Sequence, residues 1–456
     1  MKKLIFIIIC SSFNLTYAFS QPWQKVGSGL YAGGVYDLFN DTILNKLIIG
    51  GTIYKSGDLL DTLNGIGQWD GLTIKPVGTG FHGNPFVYSI GRISNKLVAS
   101  GWLYPNYYGN FFAYFDSMDN QWDTMPNGPN ANVRQIINVN DTLYLGGFFT
   151  KFGQQNTFLS GSFDGVNFIP QVNLLDSYSV SSSNVVYSIS YFQNKLIVGG
   201  SFHSIDGVTN LAIVSNGTIV QLNQCTNPIE YISSLDVFQN ELIIAGRFIK
   251  SNGNAGNNIV AFDGAIFREL ISDNPFFNIR AIKSYNNLLF IGGVTIDANG
   301  FYSNDVIMWN GVNWISLGNN QIDEDIFTIE VYNDSLFIGG AFNCIGTECG
   351  FNKIAKYNIP VSVLNINDQN NPNLRSLNLY PNPVNNLLNI QQISSHNEQA
   401  IITIFDSNGN LVFNSQIQLQ TGINNFRLNI NSFSIGIYFL RIYSNQSNKS
   451  TKFIKQ

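Results

Sequence analysis

Lys195-Leu196-Ile197-Val198-Gly199-Gly200-Ser201-Phe202 decides the fold: an apolar run that ends in a glycine pair. The shape returns as KLIIGGTI around Gly51, KLVASGWL around Gly101, TLYLGGFF around Gly147, ELIIAGRF around Gly246, LLFIGGVT around Gly293 and SLFIGGAF around Gly340. Successive second glycines are 50, 46, 53, 46, 47 and 47 residues apart. So regular a period is the mark of a repeat architecture. Around each run lie four strand-like pieces. In the fourth unit VVYSISYF (185–192) alternates, Gln193-Asn194 turns the chain, and KLIVGGSF follows. LAIV (211–214), a second turn at Asn216-Gly217, and TIVQL (218–222) complete the unit. The second turn recurs as Asp70-Gly71, Asp164-Gly165, Asp263-Gly264 and Asn310-Gly311. Asn or Asp before Gly suits a type I′ turn, in which both central residues take positive φ. The glycine pair is read as a packing device, because a Cβ would clash where sheets converge on an axis. No helix pattern follows the pair to make it a phosphate cradle.

Seven such units predict an all-β chain: a seven-bladed β-propeller over residues 21–360. A right-handed β-helix, the alternative, has far shorter coils. Closure follows from the ends of the repeat. The seventh unit offers strands at Ile326–Tyr332, Leu336–Phe342 and Lys353–Tyr357, then meets Pro360 without a fourth. Trp23-Gln24-Lys25-Val26-Gly27 resembles the sixth unit's last strand, Trp314-Ile315-Ser316-Leu317-Gly318. Trp23–Val26 is therefore expected to pair with Lys353–Tyr357, which leaves no free sheet edge. Composition agrees. Of 456 residues only 12% are charged, half the usual ~25%, while 14% are aromatic and 42 are glycine. That mixture favours strands over helices. A net charge of −5 offers no basic patch for nucleic acid.

The order GG-x-F, polar loop, N-x-x-A, W/F-D/N-G, W-x-x-L-G resembles kelch-type and delta-60-type propeller repeats, best from Gly199 to Leu222 and from Gly339 to Tyr357. The resemblance implies the fold over residues 22–360 and no particular ligand.

The ends carry addresses. Lys2 and Lys3, the apolar run Leu4 to Ile9, and small residues at Ala18 and Ser20 form a secretory signal over residues 1–20. Cleavage is expected after Ser20, with Ala18 as the alternative. The run is too short to span a bilayer, and no transmembrane segment is expected in the mature chain. Residues 361–375 are Asn-rich and read as a linker. From 376 to 456 a new alternating pattern predicts a small Ig-like β-sandwich. Here Leu379-Tyr380-Pro381-Asn382-Pro383, Asp406 to Leu411, Gly436-Ile437-Tyr438, and a terminus with Lys452 and Lys455 resemble the type A C-terminal sorting domain of the bacterial type IX secretion system. That resemblance implies Tyr380, Pro381, Asn382, Pro383, Gly436 and Tyr438 as the sorting motif and the secretion machinery as a partner. It also implies a route through the periplasm and across the outer membrane, to a secreted or cell-surface location.

Catalytic candidates are few. The three histidines are His82, His203 and His396, and none stands in a triad spacing. Asp323-Glu324-Asp325 is the acidic run, read as solvated loop charge, because calcium loops space their carboxylates. No metal and no cofactor is expected. Cys344 and Cys349 share a loop and suit a local disulfide in an oxidising compartment; Cys225 reads as a buried thiol. Aromatic residues carry the sharper expectation. The loop GWLYPNYYGNFFAYF brings together Trp102, Tyr104, Tyr107 and Tyr108, rings that can stack on a sugar or anchor a protein. The chain is thus expected to be a non-catalytic propeller that binds glycan or protein. A polysaccharide hydrolase or lyase acting across the channel mouth and a purely structural surface protein are the alternatives. Carboxylates converging on the channel favour the enzyme; a channel lined by Asn, Ser and backbone favours the binder.

Overall fold

The structure is a computed structural model. It describes residues 23–81, 83–103, 110–125, 127–170, 184–203, 207–215, 218–222, 230–271, 276–296, 302–310, 314–317, 321–359, 377–381, 383–394, 397–406, 410–444 and 448–456. The expected leader (1–20), the linker (361–375), Cys225, His82, His396, Asn216-Gly217 and Ser407–Gly409 lie outside the described residues. The chain divides into two compact units, Met1–Leu364 and Asn365–Gln456.

Among the described residues the first unit contains seven four-stranded antiparallel sheets. Their innermost strands are Val35–Asp41, Phe86–Ile93, Val133–Val139, Val185–Phe192, Tyr231–Phe238, Phe276–Tyr285 and Ile326–Tyr332. Each packs on the innermost strand of the next sheet, and the seventh packs on the first. The sheets therefore form a closed seven-bladed propeller. There is no single axial core. Apolar side chains fill the spaces between blades, as where Ile243, Ala245 and Ile259 of blade 5 meet Phe276, Ile279 and Ile282 of blade 6.

Closure occurs where the repeat ends. Gln24–Lys25 pairs antiparallel with Ile354–Asn358, with Gln24 opposite Lys356 and Lys25 opposite Ala355. Buried Trp23 fixes the junction: its indole N–H donates to the Leu317 carbonyl at 2.9 Å, and its ring lies 5.3 Å from Tyr357. Val26 and Leu30, both fully buried, continue the seam.

The glycine pair answers two different constraints. At the first position a Cβ would meet the next blade: Ile232 Cγ2 at 2.6 Å from Gly199, Val186 Cγ1 at 2.6 Å from Gly146. Those obstacles are side chains, and blades 2 and 5 place Ser100 and Ala245 there. At the second position a Cβ would strike backbone of its own blade, the Gly34 carbonyl at 2.0 Å from Gly51 and the Val185 carbonyl at 2.0 Å from Gly200. Backbone cannot yield, and all seven copies keep this glycine. The cause is a β-bulge in every innermost strand, at the residue after the one facing the second glycine.

The turns differ from expectation. Asp70-Gly71, Asp164-Gly165 and Asp263-Gly264 are not type I′. Only the glycine takes positive φ, and the loops are four residues long, as between Trp69 and Ile74. The Asp side chain caps the loop instead. Asp164 Oδ1 accepts from Val166 N–H at 2.8 Å and from Asn167 N–H at 2.6 Å, which holds its carboxyl below the usual range. Paired positive φ occurs in the hairpins that join the first two strands, at Asn140-Asp141, Gln193-Asn194, Gln239-Asn240 and Asn333-Asp334.

The second unit pairs a three-stranded sheet with a four-stranded one. Leu388 and Ile390 of the first face Ile402, Ile404, Leu440 and Phe453 of the second in one core, so the unit is a β-sandwich.

Candidate functional site

The bulge places the site. Val35-Tyr36-Asp37-Leu38 of blade 1 corresponds in register to Val87-Tyr88-Ser89-Ile90, Val133-Arg134-Gln135-Ile136, Val186-Tyr187-Ser188-Ile189, Ile232-Ser233-Ser234-Leu235, Ile279-Arg280-Ala281-Ile282 and Ile326-Phe327-Thr328-Ile329. The outer two residues of each quartet are apolar and pack between blades. The middle two line a central cavity of about 470 Å3. The first of these, the bulged residue, forms a collar where the innermost strands begin.

The collar is aromatic and cationic. Tyr36 and Phe327 stack with centroids 5.0 Å apart and planes 6° from parallel; Tyr88 meets Tyr36 edge-on at 5.4 Å. Arg134 lies over Tyr88, its Cζ 4.0 Å from the ring centroid, with Phe148 and Tyr187 at 5.3 and 5.9 Å. Tyr187 meets Tyr231 at 6.1 Å. Arg280 bonds Asp325 at 2.9 Å. Burial, the largest influence, pushes the Tyr36 and Tyr187 phenols up, so both stay protonated donors at neutral pH. Nearby, Arg247 sits 4.8 Å from the Phe277 ring, which meets Tyr302 at 5.2 Å.

One residue further along, the polar side chains form a belt around the channel. Asp37 Oδ2 accepts the N–H of Ile90 in the next blade at 2.7 Å. Ser89 does the same for Ile136 at 3.0 Å, Gln135 for Ile189 at 2.5 Å, Ser188 for Leu235 at 2.9 Å and Ser234 for Ile282 at 3.2 Å. Asp37 thus has a structural job. Desolvation pushes its carboxyl up to about 7, with Glu330 adding to the shift against the Ile90 N–H. Deeper still, Lys283 Nζ bonds Glu330 Oε2 at 2.7 Å, and Asp236 Oδ2 accepts the Ser284 N–H at 2.5 Å. Desolvation opposes charge on Lys283, but Glu330, Asp236 and Asp37 together outweigh it and keep the ammonium charged. Desolvation pushes Asp236 up. Carboxylates do converge on the channel, then, but each is tied to an adjacent blade. Among the described residues no group of three or more His, Cys, Asp or Glu is arranged to hold a metal.

Of the expected site residues, Trp102 is described: it is 43% exposed, faces Phe86 across the strand pair, and lies 6.4 Å from that ring. Phe86 is 6.1 Å from Tyr88, so Trp102 continues the collar outward. Tyr104, Tyr107 and Tyr108 lie outside the described residues. His203 is exposed. The acidic run is not merely solvated: Asp325 pairs with Arg280, and Asp323 Oδ1 accepts the N–H groups of Asn343 and Cys344 at 2.9 and 3.0 Å. Cys344 and Cys349 are joined in a disulfide across a two-residue hairpin. In the tail, Tyr380 pairs with Asn389, Pro381 and Pro383 are exposed, and Asn382 lies outside the described residues. Gly436 opens a strand whose buried Tyr438 stacks on Phe453 at 5.4 Å and donates to the Ser434 carbonyl at 2.8 Å.

Tyr36, Tyr88, Arg134, Tyr187, Arg280 and Phe327 escaped the sequence reading. Their signal was present: each follows a Val or Ile, 13 residues before the second glycine in five cases and 15 for Tyr36, and alternation alone cannot distinguish a bulged residue.

Residues 378–456 match the family described as the secretion system C-terminal sorting domain. The chain is therefore a β-propeller protein exported through the type IX secretion system, delivered across the outer membrane to the cell surface or exterior. No helix among the described residues is long and apolar enough to cross a membrane. No curated protein matches the chain. Similar solved structures include a Thermus thermophilus putative oxidoreductase (glucose dehydrogenase), 10% identical, covering 74% of this chain and 99% of its own at a TM-score of 0.36. The Phanerochaete chrysosporium exo-beta-1,3-galactanase is 11% identical over 75% of this chain and 98% of its own, TM-score 0.30. A Bacillus subtilis glycoside hydrolase family 43 arabinoxylan arabinofuranohydrolase is 8% identical over 82% and 95%, TM-score 0.27. Likenesses this distant carry nothing about activity.

Proposed function

We propose that the chain is a non-catalytic propeller of kelch-like blades that binds a glycan at the collar of its channel. The supporting observation is the ring set itself: Tyr36 stacked on Phe327, with Tyr88 and Tyr187 beside Arg134, all half-buried at the mouth of a cavity of about 470 Å3. Half-buried tyrosines offer an apolar face for a sugar ring and a hydroxyl for its oxygens, and the volume is that of a small-ligand site. The test is a glycan array probed with the full chain, with a Tyr88→Ala, Tyr187→Ala variant, and with a Tyr104→Ala, Tyr107→Ala, Tyr108→Ala variant. Binding lost in the first variant supports the collar. Binding lost only in the second moves the site to the loop; protein ligands captured with no glycan bound would replace the reading.

A second reading, a polysaccharide-cleaving enzyme, is favoured by Asp37, Asp236 and Glu330, whose carboxyls burial pushes up. New reducing ends released from an array-positive glycan, and abolished in Glu330→Gln, would establish it. The inter-blade bonds of these side chains favour the binder.

A further inference from the structure

Two arginines at the collar have buried donors with no acceptor among the described residues. Arg134 is held by three rings, and its Nε is buried without a hydrogen-bond partner. Among the described residues no carboxylate lies within ion-pair distance of it. Arg280 lines the same cavity; one Nη2 bond goes to Asp325, and its Nε is likewise buried and unpartnered. Both cations act on the Tyr187 phenol, so they share one neighbourhood. A buried guanidinium N–H without an acceptor is costly, and an anion against the open edge of the half-buried Arg134 side chain offsets that cost by supplying the counter-charge it lacks. The deeper carboxyls are bonded elsewhere, Asp37 to the Ile90 N–H, Asp236 to the Ser284 N–H and Glu330 to Lys283.

We infer that the collar selects a sugar unit bearing an anionic group, carboxylate or sulfate, with its ring on the tyrosines and its anion on Arg134 and Arg280. A guanidinium held over an aromatic face keeps its N–H edge free for two parallel bonds to one oxyanion. The inference rests on the collar being a sugar site.

Calorimetry on the full chain separates the two claims. The probes are trigalacturonic acid, its fully methyl-esterified neutral form, a sulfated carrageenan oligosaccharide without uronate, and a tetraglutamate peptide. The expected result is that the acid or the sulfated sugar, or both, bind at least about tenfold more tightly than the ester. Whichever binds identifies the group. Arg134→Gln should abolish the preference while the ester still binds, and Arg134→Lys, which keeps charge but loses the bidentate edge, should retain part of it. Equal binding of ester and anions overturns the anion and leaves the sugar site standing. No binding by any sugar overturns both. Tetraglutamate binding as tightly as the sugars overturns the inference in favour of an acidic peptide. Because the wild-type comparison alone decides, a variant that fails to fold does not rescue the idea.

Discussion

Gly199 and Gly200 are adjacent but not equivalent. A Cβ on Gly199 presses on Ile232, a side chain that can rotate; a Cβ on Gly200 lands 2.0 Å from the Val185 carbonyl oxygen. Gly199→Ala should therefore cost about 1 kcal/mol, like an average substitution, and Gly200→Ala more than about 4. Urea melts of both variants measure this, and equal costs would remove the bulge explanation. Asp37 supplies a pH test. Its carboxyl ionises near 3.8 in the unfolded chain and near 7 in the ring. Between those values the folded state keeps a proton that the unfolded state releases, so stability falls as pH rises through that window and levels off above it. The contribution is at most about 4 kcal/mol. Asp37→Asn should flatten the slope between pH 5 and 7 in denaturant titrations, leaving what Asp236, Asp305 and Glu330, all pushed up by burial, contribute. An unchanged slope would assign the effect elsewhere.

Among elements, the closing strand bears the most. Two paired residues would hold little, but Trp23, Val26 and Leu30 are buried beside them. Trp23→Ala should cost about 3–5 kcal/mol and expose the amides of Ile354–Asn358 to hydrogen exchange. Protection there equal to wild type would mean that the ring closes without the N-terminal strand. This closure was legible because Trp23-Gln24-Lys25-Val26-Gly27 repeats the spacing of Trp314-Ile315-Ser316-Leu317-Gly318. The Asp-Gly turns were misread for a physical reason: dipeptide identity does not report loop length, and an Asp that caps two amides suits a four-residue loop as well as a two-residue one. The hairpins that do take paired positive φ contain no glycine but all carry Asn, which tolerates that region; of them Gln193-Asn194 was legible as a turn.

For the whole molecule, seven repeats, the ring and the exported tail were all readable, because each is a periodic or motif-bearing property of the chain. The site was not. Arg134 and Arg280 are 146 positions apart in the numbering and line one cavity only because the ring closes. The aromatics from Trp102 to Tyr108 are visible in the sequence because they lie within seven residues of one another. Removing residues 376–456 should leave the propeller folded and strand it in the periplasm, as fractionation of producing cells would show; surface display unaffected by the deletion would refute the tail's role. Whether the collar holds a sugar is decided by an experimental structure of the full chain with trigalacturonic acid. A sugar ring is expected against Tyr88 or Tyr187 with its carboxylate on Arg134. Density confined to the 104–108 loop, or to the opposite end of the channel beside Tyr285 and Asp41, would contradict it.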